Sequence, residues 1–300
     1  MELRQLRYFE SVVTYGTIRE TAARLFMCES TISEQIKELQ KEIGFPLFEK
    51  QGRKIVLTAE GKQVLPLAKA ILADVKDFEA GISEINNPGA GLIKLGVVSV
   101  ARLDIVPKKI MEFAQVSPDI QIEIMENGAL EIIEYLLNDK VDFALISTNS
   151  RIKSILEASA IQYKVLSNVG SVALVSCNHP LANQDKILLN QLADERIILR
   201  RQGIYREAII NSLRDSITKD RFYTIDTYET ALQLVELNLG ITIIPEAFIG
   251  SLGLQENSKV KLLLLDDFQI QSDMCFIYKK KRYRPLYFIN FMRIFTDSVC

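Results

Sequence analysis

Cys28-Glu29-Ser30-Thr31-Ile32-Ser33-Glu34-Gln35-Ile36-Lys37-Glu38-Leu39-Gln40-Lys41-Glu42-Ile43-Gly44 is the stretch on which the reading of the fold turns. Ile32, Ile36, Leu39 and Ile43 recur at intervals of four, three and four, the spacing of one face of an α-helix, and Gly44 suits its stop. With those residues inward, Ser30, Glu34, Lys37 and Lys41 point outward and Ser33 lies at the edge. Upstream, Leu3, Leu6, Tyr8-Phe9, Val12 and Val13 predict a first helix ended by Gly16. Thr17 is placed to cap a second helix with Ile18, Ala22 and Leu25 on its apolar face. Two helices joined by a short turn, the second with a small polar outer face, is helix-turn-helix geometry. Short side chains at the front of that helix permit approach to base edges, and its lysines suit phosphates. A small packing unit that never meets DNA is the alternative.

Working outward, Phe45 to Glu49 and Lys54 to Leu57 read as two short strands joined by the polar turn Lys50-Gln51-Gly52-Arg53. From Thr58 to Ile85 the pattern changes. Val64, Ala68, Ile71, Val75, Phe78, Ile82 and Ile85 alternate spacings of four and three, an a/d seam that implies a long helix packed on a partner helix. The alternative is a helix packed on its own domain. Pro66 removes one backbone bond early in it. Asn86-Asn87-Pro88-Gly89-Ala90-Gly91 reads as a linker.

The remainder alternates strands and helices. Strands are expected at 92–98, 120–125, 141–146, 161–166, 171–176 and 196–199, and helices at 106–113, 130–137, 205–213 and 228–237. Such alternation argues an α/β architecture with parallel sheets, in one sheet or two lobes.

Composition narrows the function. The 300 residues carry a net charge of -2, are 48% hydrophobic, and include one histidine and no tryptophan. This is a globular composition of about two domains, without a whole-chain footprint for nucleic acid. Residues 1 to 57 hold nine bases and eight acids, so tight DNA binding needs two or more copies acting together. The most apolar stretch, around Leu262-Leu263-Leu264-Leu265, is far too short to span a membrane, and Met1-Glu2-Leu3-Arg4-Gln5 lacks a signal pattern. A cytoplasmic protein with no membrane partner is expected. Cys28, Cys177, Cys275 and Cys300 are widely spaced, so neither a disulfide framework nor a metal site is expected, and a redox switch is disfavoured. No G-x-S-x-G elbow or Walker loop occurs, and His179 sits in the turn-like Asn178-His179-Pro180. The expectation is no enzyme, no catalytic residue and no metal.

The run Leu3-Arg4-Gln5-Leu6-Arg7-Tyr8-Phe9, then Thr21-Ala22 with Leu25, then Ile32 through Leu39, resembles the N-terminus of LysR-type transcriptional regulators. So do Ile43-Gly44-Phe45-Pro46-Leu47-Phe48-Glu49-Lys50 and Leu57-Thr58-Ala59-Glu60-Gly61. His179-Pro180-Leu181-Ala182, Leu192-Ala193-Asp194-Glu195 and Leu239-Gly240-Ile241-Thr242-Ile243-Ile244-Pro245 continue the likeness in the family's order. The resemblance implies an α/β chain with an N-terminal winged helix-turn-helix over 1–58. It implies a dimerising linker helix over 59–88 and a two-lobed regulatory domain over 89–300, like a periplasmic solute-binding protein. Lobe I is expected at about 91–163 and 269–300, and lobe II at about 164–268. The function implied is sequence-specific regulation of transcription under a small-molecule effector bound between the lobes. Its partners would be double-stranded promoter DNA, further copies in a homodimer or homotetramer, and RNA polymerase. No cofactor is expected beyond an unidentified effector.

Carried onto this chain, the resemblance assigns DNA contact to Thr17, Glu29, Ser30, Thr31, Ser33, Glu34, Lys37, Arg53 and Lys54, and dimerisation to Val64, Ala68, Ile71, Val75, Phe78 and Ile82. The family usually opens its recognition helix with Ser-Gln-Pro, where this chain has Cys28-Glu29-Ser30. Cysteine caps poorly, so a Thr31–Glu34 capping box competes to start the helix later. Glu29 only accepts hydrogen bonds, which favours a cytosine amino group; a solvated glutamate near phosphates is the plainer reading. Effector contact is assigned to Ser99, Val100, Gly128, Ala129, Arg201, Gln202, Gly203 and Thr227. Asn127-Gly128-Ala129 lacks the hydroxyl usual in the family, and Asn238 replaces a glycine where a left-handed backbone is tolerated. Two rivals remain: a solute-binding protein, which has no use for the N-terminal bundle, and an enzyme with an appended DNA-binding domain.

Overall fold

The computed structural model describes residues 1–52, 54–86, 90–99, 101, 105–159, 161–213, 221–251, 254, 259–270, 272–280 and 284–297. The chain divides into two units, one comprising Met1–Asn86 with Lys281–Pro285 and the other Asn87–Lys280 with Leu286–Cys300.

In the first unit, α1 (Leu3–Tyr15), α2 (Ile18–Leu25) and α3 (Glu29–Ile43) form the expected three helices. Leu6, Phe9 and Val12 of α1 and Ile32, Ile36 and Leu39 of α3 are buried at helical spacing. Fully burying an aromatic such as Phe9 contributes about 2–3 kcal/mol. Gly16 and Gly44 end α1 and α3 at φ 79° and 87°, and the Thr17 hydroxyl accepts from Glu20 N to start α2. The α3 start departs from expectation. The helix begins at Glu29 behind Cys28, which makes no side-chain cap, so the Thr31–Glu34 box does not delay it.

The strands β1 (Phe48–Gln51) and β2 (Lys54–Leu57) pair antiparallel from Phe48↔Leu57 to Gln51↔Lys54. β1 starts later than Phe45 because Gln40 Oε1 takes the amide hydrogens of Leu47 and Phe48, at 2.7 and 3.2 Å. Thr58 then caps α4 (Ala59–Asn86), accepting from Gly61 N at 2.9 Å and donating to Pro46 O at 2.8 Å. Pro66 lies within α4 without ending it.

The expected seam on α4 divides. Ala68 is buried with Leu6, Phe9, Leu39, Leu47 and Leu72, and Val64 packs on the same cluster. Ala68 therefore serves the chain's own bundle, which corrects its assignment to a partner helix, while Val64 is half-buried against that bundle. Ile71, Phe78 and Ile82 are exposed, Phe78 at 68%, and Val75 is half-buried.

The second unit holds two mixed sheets. The first contains β3 (Gly91–Val97), β4 (Ile120–Glu126), β5 (Phe143–Thr148), β6 (Ile161–Asn168) and β13 (Asp273–Lys279), in the order β4-β3-β5-β13-β6. Helices α5 (Ile105–Val116), α6 (Ala129–Leu137) and α7 (Ser150–Glu157) connect it. β3 runs parallel to β4 and β5, joined by helical crossovers. On β3, a Cβ at Gly96 would lie 2.9 Å from Ile132 of α6, so helix and sheet meet where only glycine fits.

The second sheet contains β7 (Ser171–Ser176), β8 (Lys186–Ile187), β9 (Ile197–Arg200), β10 (Phe222–Ile225), β11 (Ile241–Pro245) and β12 (Val260–Leu265), ordered β10-β9-β11-β7-β12-β8. Its helices are α8 (Ile204–Ser212), α9 (Tyr228–Glu236) and the short α10 (Phe248–Ser251). From the C-terminal side, α11 (Leu286–Thr296) returns to lobe I, where Phe291 meets Phe113 and Phe143 with ring centres 5.0 and 5.3 Å apart.

The sheets are not parallel throughout, and connectivity explains why. The chain leaves lobe I along β6 into β7 and returns along β12 into β13, so β12 pairs antiparallel with β7 and β13 with β6. The crossing strands bond to each other, Val169 N donating to Ser272 O at 2.8 Å. The expected lobe limit at 163/164 falls inside β6, which pairs with β13 as far as Asn168↔Asp273; lobe I therefore reaches Asn168.

Candidate DNA-binding surface and effector cavity

On α3 Glu29, Ser30, Glu34, Lys37, Glu38, Lys41 and Glu42 are exposed, while Thr31 and Ser33 are half-buried at the edges. The apolar set beneath them fixes this outward face. Thr17 is exposed just before α2, with its hydroxyl oxygen occupied by the Glu20 amide at 3.0 Å. Lys54 opens β2, and Arg53 lies outside the described residues. Between α2 and α3 the chain turns at Phe26, φ 53° and 96% exposed, a feature the periodicity of neither helix reveals.

The cavity lies between the lobes of the second unit and measures about 230 Å³. It forms at carboxyl ends of β3, β4, β5 and β9, where open α/β sheets place ligands. Lobe I contributes Ser99, Gly128, Ala129, Glu131, Ser147 and Arg151; lobe II contributes Arg200, Gln202, Gly203, Arg206 and Tyr228, among others. Apolar walls come from Val98, Ile152, Leu199 and Ile243.

Five of the expected effector residues line this cavity: Ser99, Gly128, Ala129, Gln202 and Gly203. Val100 lies outside the described residues. Arg201 and Thr227 are not part of the lining, which corrects their placement. Arg201 turns to the surface and pairs with Asp226 at 2.9 Å, and this hydrogen bond holds the Asp226 carboxyl below its usual range. The Thr227 hydroxyl caps α9, accepting from Thr230 N at 3.2 Å.

Sequence reasoning missed Arg200. Its Nη1 donates to Ser99 Oγ across the lobes at 2.6 Å, and its Nε donates to Asp226 O at 3.2 Å. Its guanidinium carbon stands 5.4 Å from the ring centre of Tyr228, a cation–π arrangement. Burial pushes the Tyr228 hydroxyl up to about 12, so the ring is neutral across the physiological range. The signal for Arg200 was its position as the first charge after the apolar run Ile197-Ile198-Leu199. The Tyr205 hydroxyl reaches Gly170 O at 3.1 Å, tying a cavity wall to the β6–β7 crossing, and burial raises its pKa.

Comparison with known proteins defines the class. Residues 3–62 match the family model of the bacterial regulatory helix-turn-helix protein, lysR family, and residues 86–299 that of the LysR substrate binding domain. The chain belongs to the LysR family and is a LysR-type DNA-binding transcriptional regulator with an effector-binding domain.

The HTH-type transcriptional regulator CzcR of Bacillus subtilis (strain 168) is 29% identical, covering 100% of this chain and 97% of its own. The transcriptional dual regulator GltC of the same organism is 31% identical over 82% of this chain and 81% of its own. A full-length OxyR from Pseudomonas aeruginosa, solved as a cysteine-to-aspartate variant, shares the fold with a TM-score of 0.66 at 18% identity, over 100% of this chain and 94% of that one. Full-length BenM does so at 0.57 and 23%, over 99% and 96%.

Proposed function

We propose that the protein binds operator DNA in the bacterial cytoplasm as a homodimer or homotetramer and regulates transcription according to a small effector held between its lobes. The observation that carries this is the outer face of α3. Ser30, Glu34 and Lys37 are exposed on it, with Ser33 at its edge, above a buried Ile32-Ile36-Leu39 core. In this reading Glu29, Ser30, Thr31, Ser33 and Glu34 face base edges, while Thr17, Lys37, Arg53 and Lys54 meet bases or backbone. The exposed Ile71, Phe78 and Ile82, with half-buried Val75, supply the face for a second copy.

Ser99, Gly128, Ala129, Gln202 and Gly203 contact the effector, whose binding shifts lobe closure and through it the spacing of paired DNA-binding heads. RNA polymerase is the partner through which such a shift acts. No catalytic role is assigned. Footprinting of the region upstream of the gene tests the reading. Two separated protected half-sites are expected; an unprotected region at low ionic strength, with monomeric protein, refutes it.

A further inference from the structure

Arg200 and Arg201 are adjacent in sequence and opposite in fate. Arg201 has the carboxylate of Asp226. Arg200 is half-buried at the cavity, and its guanidinium donates to neutral acceptors, Ser99 Oγ, the Asp226 carbonyl and the Tyr228 hydroxyl, while the Asp226 carboxylate, hydrogen-bonded to Arg201, acts on it only through space. A guanidinium presents five donors in a fixed fork that pairs with an oxyanion through two parallel hydrogen bonds and opposite full charges, neither of which a serine hydroxyl offers. Ser99 is thus a weaker acceptor than an anion entering the cavity.

The helix ends facing the cavity differ in the same way. At α6, a Cβ on Gly128 would lie 2.5 Å from Glu131 Oε2, so that N-terminus already has a carboxylate over it. At α7, Asn149 Oδ1 accepts from Ile152 N at 2.9 Å. At α8 the N-cap is Gly203, at φ 120° and with no side-chain cap, three residues after Arg200, and Glu207 stands in the first turn. An uncapped helix N-terminus carries partial positive charge and free amide donors. Across the cavity, Ser147 lines the wall at 8% exposure, and its hydroxyl has no hydrogen-bond partner among the described residues. Glu131 and Glu207 also line the cavity and repel an anion from their positions. Together these features localise negative charge beside Arg200, with the Val98, Ile152, Leu199 and Ile243 walls left for an apolar body.

We propose that the effector is a small organic oxyanion with an apolar body, and that Arg200 is its specificity-determining residue, held by Ser99 when the cavity is empty. This rests on the reading of the cavity as the effector site. Binding exchanges the Arg200–Ser99 hydrogen bond for an ion pair in which both partners are charged, so the anion takes over the link between the lobes.

The test uses the full-length protein, melted and titrated calorimetrically with sodium benzoate, sodium succinate and inorganic phosphate. Benzamide and succinamide serve as uncharged counterparts, and potassium chloride controls for ionic strength. At least one anion is expected to raise Tm and to bind about tenfold or more tighter than its amide, the discrimination expected of a hydrogen bond to a charged group. Arg200→Gln removes that preference, while Arg200→Lys, which retains the charge and guards against a folding defect, keeps part of it. Whether benzoate, succinate or phosphate responds identifies the oxyanion as carboxylate or phosphate. The proposal is overturned if no anion binds, if amides bind as tightly as acids, or if Arg200→Gln leaves the preference intact. Ala129→Phe, which fills the cavity from lobe I, separates the two levels. If it blocks uncharged probes, only the oxyanion assignment fails; if bound probes ignore it, the cavity reading itself fails.

Discussion

Gly61 sits against the backbone of Leu47, so that a Cβ added to Gly61 would lie 2.2 Å from the Leu47 carbonyl oxygen. Neither backbone can yield without breaking the Thr58 cap of α4 or the hydrogen bond from Thr58 N to Leu47 O. Gly61→Ala is expected to destabilise the first unit by about 2–3 kcal/mol, the cost of overpacking at a site that cannot relax. Gly16→Ala is the contrast: open space surrounds it, and only its φ of 79° opposes the change, at about 1 kcal/mol. Denaturant melts of the two variants should rank in that order.

Phe78 on α4 is exposed and lies outside the buried cluster of its own bundle. Phe78→Glu should leave the helical content of the chain unchanged and shift the population toward monomer in sedimentation velocity. A dimer that survives this substitution places the interface elsewhere.

Four acids on α3 are exposed, Glu29, Glu34, Glu38 and Glu42, and the first two are the ones read as meeting DNA. Glu34→Gln removes repulsion from phosphates and is expected to raise DNA affinity about threefold while steepening its salt dependence. Glu29→Gln should instead change which operator sequences are selected from a random pool, since an amide can pair with adenine. Unchanged selection returns Glu29 to a solvated role.

Lys153 and Asp273 pair beside the lobe crossing, with Asn168 donating to the second carboxylate oxygen at 3.0 Å. The hydrogen bond from Lys153 holds the Asp273 carboxyl below its ordinary value, and the same bond raises Lys153. The stabilisation from Asp273 is therefore complete above the unfolded carboxylate pKa of about 4 and is lost as pH falls through the lower folded value. That from Lys153 is complete below about 10.4 and is lost as pH rises through its higher folded value. Asp273→Asn should cost about 1 kcal/mol at neutral pH, a figure held low by partial solvent screening, and progressively less in acid. Urea midpoints for wild type and variant across that range check the sign.

Arg201→Ala is expected to leave both Tm and the response to anions unchanged, because the Arg201–Asp226 pair is fully solvated. Loss of the anion response in this variant, and not in Arg200→Gln, would exchange the roles of the two arginines.

How much of this the sequence disclosed depends on what each residue answers to. Gly16, Thr17 and Gly44 answer to local backbone chemistry, and all three end or start helices as their types require. Ile32, Ile36 and Leu39 answer to a one-sided environment, which periodicity reports. The run Met274-Cys275-Phe276-Ile277 in β13 is buried on both faces and carries no period, so the central antiparallel strand of lobe I escaped notice. Ala68 shows the reverse failure: a heptad position identifies a buried stripe but not which chain buries it. Arg200 and Arg201 sit at the end of β9, where a single residue of register decides between cavity and solvent.

The return of β13 and α11 to lobe I bears on the order in which a nascent chain can fold. The DNA-binding unit and the sheet of lobe II have all their strands once Leu265 has been synthesised, whereas lobe I still lacks the strand that joins β5 to β6. An emerging polypeptide therefore acquires its DNA-reading head first and its ligand-sensing half last, and truncation before Asp273 should yield a head without a working sensor.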